Sequence, residues 1–346
     1  MKLYTRRDFL KFTSFATIGS ILDIHLGDPK DAAFHMSVHE GYPLGRILYD
    51  GATSRSYPES EAEPVSSYVR NDVISISEPI IIHTGKTQRE TWHQLEDGSF
   101  VKSQDFQPVG HKLNTPRSEV PSGGQLAEIT VPFTTAWSRK KMNTKPNSIF
   151  YFGSLHWIVG LGKGTDDRIY YLVREDRWGD DYYIDAQHMR VIDAQELSPI
   201  SPEIDPGDKK IQISLKDQLV IAFEKDQPVF TTSMASGLFT EKKDYSTPAG
   251  SFKIDYKRPS RHMLHSDRVG IDGNELFGVP WVTYFTNTGI AFHGTYWHND
   301  FTKPRSHGCI NLPIPAARWI YLWTLPTVPP REKTYVSRHG TPVMVY

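Results

Sequence analysis

Short apolar–polar alternations with a period of two recur along most of the chain, and turn residues break them every few positions. Such a pattern buries one face of a strand and wets the other, so it fits β-sheet rather than long helices. Residues 45–49, 72–76, 79–82, 91–95 and 99–109 form a first group of expected strands. A polar turn follows Tyr49, and Asp97-Gly98 supplies a hairpin turn. Residues 127–131, 154–160, 170–174 and 182–191 form a second group. Both groups end alike: an aromatic-led strand, an acidic turn, a second aromatic strand, a polar turn and a final strand. That likeness suggests an internal repeat. The 25 glycines and 24 prolines suit the many turns such a chain needs.

Two breaks divide the chain. Residues 111–124, with Pro116, Pro121, Gly123 and Gly124, read as a linker, and a Pro- and Ser-rich stretch covers 198–207. After it a strand meander restarts at 211–215, 218–223 and 229–234. The expected order is a tail at 1–40, a first domain at 41–110, a linker at 111–125, a second domain at 126–200 and a third at 208–346. At 346 residues the chain is long enough for that division.

Lys and Arg (39) balance Asp and Glu (40), so no basic field points to a nucleic-acid partner. No apolar run reaches the length of a membrane span, and none is expected. A single cysteine excludes an intramolecular disulfide framework and a multi-cysteine zinc site. At the N-terminus, Thr5-Arg6-Arg7-Asp8-Phe9-Leu10-Lys11 resembles the twin-arginine export pattern, a receptor-read address.

The candidate chemistry lies in the third domain. Ala291-Phe292-His293-Gly294-Thr295 is followed by Ser306-His307-Gly308-Cys309-Ile310-Asn311-Leu312. A thiol with a pKa of about 8.5 is mostly protonated at neutral pH, so a nucleophilic cysteine needs a base. His293 reaches Cys309 if the intervening loop brings two strand ends together. His307 is expected to point away from Cys309, which favours His293 as the base. Lys303 and Arg305 would add positive potential. Gly308 permits a tight turn, so amides near Cys309 can converge on an oxyanion.

The segment His293-Gly294-Thr295 with Ser306-His307-Gly308-Cys309-Ile310-Asn311-Leu312 resembles the active-site signature of the L,D-transpeptidases, the YkuD-type catalytic domain. Thr247-Pro248-Ala249-Gly250-Ser251-Phe252 is similar to the family's T-P-x-G-x-F segment, and residues 340–346 to its terminal strand. The two N-terminal segments resemble bacterial SH3-like domains. The fold these resemblances imply is mainly β: two small SH3-like barrels, then a β-rich YkuD-type L,D-transpeptidase catalytic domain. They imply Cys309 as nucleophile, His293 as general base and the Gly294 carbonyl as its orienting group. His307 would contact substrate, and the Gly308 and Cys309 amides would form an oxyanion hole. Ser306 and Asn311 hold signature positions, the latter where many members have Arg. Peptidoglycan stem peptides are the implied substrates, with no cofactor or metal, in an exported protein of the cell envelope. The acceptor is an amine of a second stem for crosslinking, water for an L,D-carboxypeptidase, or an amine of a wall-attached protein.

The sequence departs from the family in two places. Pro313-Ile314-Pro315 follows Leu312, where Pro315 still suits the first turn of a helix. Residues 258–280, with Arg261, His262 and His265, make a long insertion, read either as a substrate-side lid or as packing. Three other readings compete. His293, His298, His307 and Cys309 could ligate zinc in a hydrolase, although no H-E-x-x-H pattern accompanies them. A different cysteine peptidase would more often place Cys before His. A non-catalytic wall-binding protein would leave Cys309 and His293 without a task.

Overall fold

The computed structural model describes residues 43–84, 88–138, 148–164, 166–264 and 275–346. The twin-arginine-like segment and His265 lie outside them. The described chain is mainly β, as the alternation requires.

In the first segment Leu44–Ile47 pairs antiparallel with Val73–Ser75 on one side and Phe106–Val109 on the other. A five-stranded sheet runs Pro64–Tyr68, Ala52–Arg55, Phe100–Lys102, Gln88–Gln94, Pro79–Thr84. The Asp97-Gly98 hairpin forms: Gly98 takes φ 83° and Asp97 Oδ1 accepts the Ser99 amide at 2.9 Å. The expected polar turn after Tyr49 is instead two paired strands, Ala52–Arg55 and Pro64–Tyr68. Their buried positions are Ala52 and Ser54, so small and polar side chains face inward and the apolar alternation is missing.

The second segment is a seven-stranded sheet ordered Ser148–Tyr151, Phe133–Ser138, Asp181–Asp185, Ile169–Arg174, Leu155–Lys163, Gln125–Ile129, Met189–Val191. The repeated ending is visible in both segments. Phe100–Lys102, a 3-10 turn at Ser103–Asp105 and Phe106–Val109 correspond to Asp181–Asp185, a 3-10 turn at Ala186–His188 and Met189–Val191. In each, the last strand returns to pair antiparallel with the first. Pairing among the described residues traces sheets and does not close either segment into a barrel. The 111–124 stretch is laid along the second segment: the Lys112 amide donates to the Thr130 carbonyl at 2.9 Å and the Arg117 amide to the Tyr171 hydroxyl at 2.7 Å.

Two five-stranded sheets form the third segment. One runs Gln227–Ser233, Leu219–Glu224, Lys209–Ser214, Pro342–Val345, Gly250–Lys253. The other runs Ile310–Leu312, Ala291–Gly294, Glu275–Tyr284, Tyr256–Leu264, Tyr335–Val336. The helix Ile314–Trp323 begins with Pro315 in its first turn and buries residues on nearly every side, as a helix enclosed in a core does. Phe292, Ile310 and Leu312 share its core, and so do Leu126, Leu155 and Trp157 of the second segment. The second and third segments therefore fold onto one continuous apolar interior.

The described residues of the long 258–280 insertion belong to a paired strand couple, Tyr256–Leu264 with Glu275–Tyr284. Three of its side chains turn to the second segment: Arg258 and Arg261 meet Asp176 Oδ2 at 2.6 and 2.7 Å, and His262 Nδ1 lies 2.7 Å from Glu175 Oε2. The Asp176 and Glu175 carboxylates hold these three side chains in place.

Arg46 joins all three segments from a fully buried position. Its guanidinium donates to Gln107 Oε1 at 2.8 Å, to Asn71 Oδ1 at 3.0 Å and to the Tyr296 carbonyl at 2.7 Å, and lies over the Tyr151 ring at 4.3 Å. Tyr296 belongs to the loop between His293 and Cys309. Arg46→Ala strands these acceptors in a dry site, and charge-assisted bonds of about 1.5 kcal/mol or more apiece are lost. Urea unfolding should show a loss of about 3 kcal/mol or more; a change within about 0.5 kcal/mol, the usual effect of a surface substitution, contradicts this role.

Candidate active site

Strand Ile310–Leu312 runs parallel to Ala291–Gly294, with Phe292 opposite Ile310, His293 opposite Asn311 and Gly294 opposite Leu312. Side chains alternate across a strand, so Phe292, Ile310 and Leu312 enter the core while His293 and Asn311 share the other face. Cys309 stands two residues before Asn311 and takes that same face. One further step of the register sets it level with Ala291. The parallel pair thus delivers the thiol and the imidazole to one side of the sheet from residues sixteen apart in sequence.

His293 is almost entirely buried, 3% exposed, beside the Trp297 ring. Its Nδ1 lies 3.1 Å from the Gly294 carbonyl. That carbonyl can only accept, so Nδ1 carries the proton and Nε2 keeps its lone pair. Burial pushes the imidazole pKa down to about 4, against the opposing pull of the Gly294 carbonyl. Cys309 is partly exposed, and its Sγ approaches the Gly289 carbonyl at 3.9 Å. Packing around the sulfur pushes the thiol above its ordinary value, and a backbone hydrogen bond from Ala291 opposes this. Both shifts favour uncharged forms. At neutral pH the site holds a thiol and a neutral imidazole.

The loop carrying Cys309 is clamped at several points. Ser306 Oγ donates to the Cys309 carbonyl and accepts the Gly308 amide at 3.1 Å. The Ser236 carbonyl accepts the amides of Arg305 and Ser306 at 2.8 and 3.0 Å. Thr247 Oγ1 donates to the Gly308 carbonyl at 2.8 Å and accepts the Gly237 amide at 2.9 Å. Asn311 exchanges backbone hydrogen bonds with Ala235, both at 3.0 Å, and its amide group lies 2.8 Å from His298 Nε2. Gly237 has no room for a side chain, since a Cβ would stand 2.0 Å from the Tyr245 carbonyl oxygen and 2.9 Å from Gly308 Cα. Gly308 itself turns at φ 115°, which favours glycine.

His307 packs edge-on against Tyr245 at 4.2 Å. The expected divergence of His307 from Cys309 does not follow from alternation, because residues two apart on an extended strand share a side. The turn at Gly308 and the Tyr245 ring orient His307 instead. Lys303 and Arg305 face Asp300, at 3.9 and 3.6 Å, so their charge is partly offset there. The histidines 293, 298 and 307 have three separate partners, and no group of three or more His, Cys, Asp or Glu among the described residues could hold a metal ion. No described helix is long and apolar enough to cross a membrane. Sequence reasoning missed Ser236, Gly237 and Gln218, whose side chain holds Ser236 through its amide at 2.9 Å and its hydroxyl at 2.8 Å. They look like ordinary turn residues, and only the T-P-x-G segment signalled Thr247.

Two outcomes follow from this geometry. A raised thiol pKa lowers the thiolate fraction at pH 7, so iodoacetamide should alkylate Cys309 more slowly than free cysteine, with a rate climbing above about pH 8.5. A fast plateau at pH 5–6 would instead reveal a thiolate–imidazolium pair. Thr247→Val leaves the Gly237 amide and Gly308 carbonyl unpaired, and thermal melts should record a loss of about 1–3 kcal/mol. An unchanged melting curve would remove Thr247 from the clamp.

Residues 208–345 match the family model described as YkuD, L,D-transpeptidase catalytic domain. A relative from Bacillus subtilis (strain 168), the putative L,D-transpeptidase YciB, is 27% identical over 146 residues, which are 39% of this chain and 69% of that protein. Among solved structures, an L,D-transpeptidase of Xylanimonas cellulosilytica is 25% identical, with 40% of this chain and 60% of that chain covered at a TM-score of 0.27. An Enterococcus faecium L,D-transpeptidase is 22% identical over 42% of this chain and 51% of its own, at a TM-score of 0.30. The chain therefore spans only about half to three-fifths of those two solved chains. The family match assigns residues 208–345, the part that contains Cys309 and His293, to the L,D-transpeptidase catalytic domain.

Proposed function

We propose that this protein is a peptidoglycan L,D-transpeptidase in which Cys309 is the acyl-transfer nucleophile and His293 its general base. One observation carries this reading: His293 and Cys309 share a face of a parallel strand pair, with Nδ1 held by the Gly294 carbonyl so that Nε2 is free to take a proton.

The donor is a tetrapeptide stem ending in D-Ala. Cys309 Sγ attacks the carbonyl that joins the diamino acid to D-Ala, and the thiol proton passes to His293 Nε2 as the S–C bond forms. Because the resting pair is uncharged, proton transfer accompanies attack and does not precede it. The Cys309 amide would stabilise the developing oxyanion, and the Gly308 amide, which donates to Ser306 Oγ at 3.1 Å, would have to give up that bond to join it. The tetrahedral intermediate collapses, the C–N bond breaks, and the imidazolium gives its proton to the departing D-Ala amine. An amine of a second stem then attacks the thioester and loses its proton to His293, which restores the thiol and yields a crosslink. Water in place of the amine gives an L,D-carboxypeptidase, and an amine of a wall protein gives anchoring.

The N-terminal segments, 41–110 and 126–200, are read as SH3-like modules that grip the wall polymer beside the catalytic domain at 208–346. Their repeated strand–3-10 turn–strand endings support that reading. Export through the twin-arginine-like segment would put the protein in the cell envelope with its substrate.

The test is incubation of the full chain with tetrapeptide muropeptides, followed by mass spectrometry. Dimers formed with loss of D-Ala are expected, none with Cys309→Ala, and a rate lower by a factor of about 10² or more with His293→Ala. Tripeptides without dimers would mark a carboxypeptidase. Unchanged substrate, or equal turnover by Cys309→Ala, would sink the enzymatic reading.

A further inference from the structure

The face that bears Cys309 continues sideways across the sheet. Tyr256 stands opposite Tyr284 and Tyr284 opposite Ala291, and continuing the Phe292–Ile310 register by one step sets Cys309, in the bend before its strand, level with Ala291. Four neighbouring strands therefore present Tyr256, Tyr284, Ala291 and Cys309 in one row. Strands lie about 4.8 Å apart, so Tyr284 is about 10 Å and Tyr256 about 15 Å from the thiol strand. The two tyrosine rings stack at 4.9 Å. With Gly289, whose carbonyl meets the Cys309 sulfur, they line a cleft of about 310 Å³ whose charged lining residues are Arg258, Arg261 and Asp255.

Both guanidiniums are held from behind by one carboxylate. Asp176 Oδ2 accepts Arg258 Nη2 at 2.6 Å and Arg261 Nη1 at 2.7 Å, and its Oδ1 accepts the His262 amide at 2.6 Å. A guanidinium carries five N–H donors, and each arginine gives one to Asp176. The Arg258 Nε–H is buried and has no partner. Two rigidly held forks with unused donors, beside an aromatic wall, suit a carboxylate better than an amide or a cation, since carboxylates take paired N–H bonds.

We propose that Arg258 and Arg261, with the Tyr256–Tyr284 wall, form a subsite that binds a carboxylate of the acyl-donor stem upstream of the bond that Cys309 attacks. The inference rests on the function proposed above and adds to it a specificity. Distance selects the carboxylate. The carboxyl of the departing residue lies only about one residue, roughly 3.5 Å, from the attacked carbonyl, too near for two guanidiniums borne on the strand that lies about three strand spacings from the thiol strand. An acidic group on the diamino acid or on the residue before it spans the gap. Asp255 opposes a second negative charge and limits the cleft to one carboxylate.

The experiment uses full-length Cys309→Ala, which cannot be acylated, and calorimetric titration with four synthetic tetrapeptide stems. One has all carboxyls free; the others carry a single carboxamide at the terminal D-Ala, at the diamino-acid side chain or at the glutamyl residue. One of the two upstream amides should weaken binding by about tenfold or more, with the terminal amide changing it less than about threefold. Adding Arg261→Gln should abolish that discrimination by weakening the three stems that keep the recognised carboxyl free and leaving the stem amidated there unchanged, whereas a merely structural role would weaken all four stems alike. Equal affinity for all stems, a penalty confined to the terminal amide, or discrimination that survives Arg261→Gln would overturn the subsite. Turnover of stems by the wild type without discrimination removes only the subsite, while discrimination in binding without turnover by the wild type removes only the catalytic reading.

Discussion

The pairing of Ala291–Gly294 with Ile310–Leu312 is the contact on which the rest of the site depends. Its inward face is nailed down by Phe292, Ile310 and Leu312, all fully buried against the helix Ile314–Trp323 and the strands around it. A one-residue slip of Ile310–Leu312 would turn Cys309 and Asn311 toward that core, away from His293, and put isoleucine and leucine on the reactive face. The apolar interior thus fixes the register, and the register fixes the chemistry. The Ser236, Gly237 and Thr247 contacts then hold the turn at Gly308 so that the strand presents Cys309 at its start.

Burial decides the charge state of the resting site. His293 lies under Trp297 and is too dry to hold a proton until about pH 4, and the sulfur sits in packing that discourages its anion. Removing water from both groups stores no ion pair. It leaves a neutral base directed by the Gly294 carbonyl and a nucleophile that ionises only as it reacts. The N-terminal segments share in this arrangement. Arg46 grips the Tyr296 carbonyl, Asn299 donates to the Ser103 carbonyl at 2.9 Å, and Tyr296 stacks on Tyr151, so the loop between base and nucleophile is shaped by all three segments.

Much of this was legible in the sequence where apolar alternation was strong. Gln88–Gln94 with its Asp-Gly turn, the Leu219–Glu224 strand and the Pro315-led helix fall near their expected places. The Cys309 and His293 pairing was suggested by the chance for two strand ends to meet. Ala52–Arg55 and Pro64–Tyr68 were illegible, since Ser, Thr and Pro dominate them and their inward positions are small or polar. Arg46 was illegible for another reason: a charged residue in a strand gives no hint that acceptors from residues 71, 107 and 296 will surround it. The same holds for Arg258 and Arg261, whose partner Asp176 is more than eighty residues away. Long-range polar contacts leave no periodic trace.

The most direct measurement of the central claim is intact-mass spectrometry of wild type and His293→Gln during exposure to a carbapenem, a strained acyl donor, with peptide mapping of the adduct. A single adduct on Cys309, formed about 10² times more slowly in a folded His293→Gln variant, is the predicted result. Equal rates in the two proteins, or an adduct at any other residue, would contradict an imidazole-assisted thiol at this site.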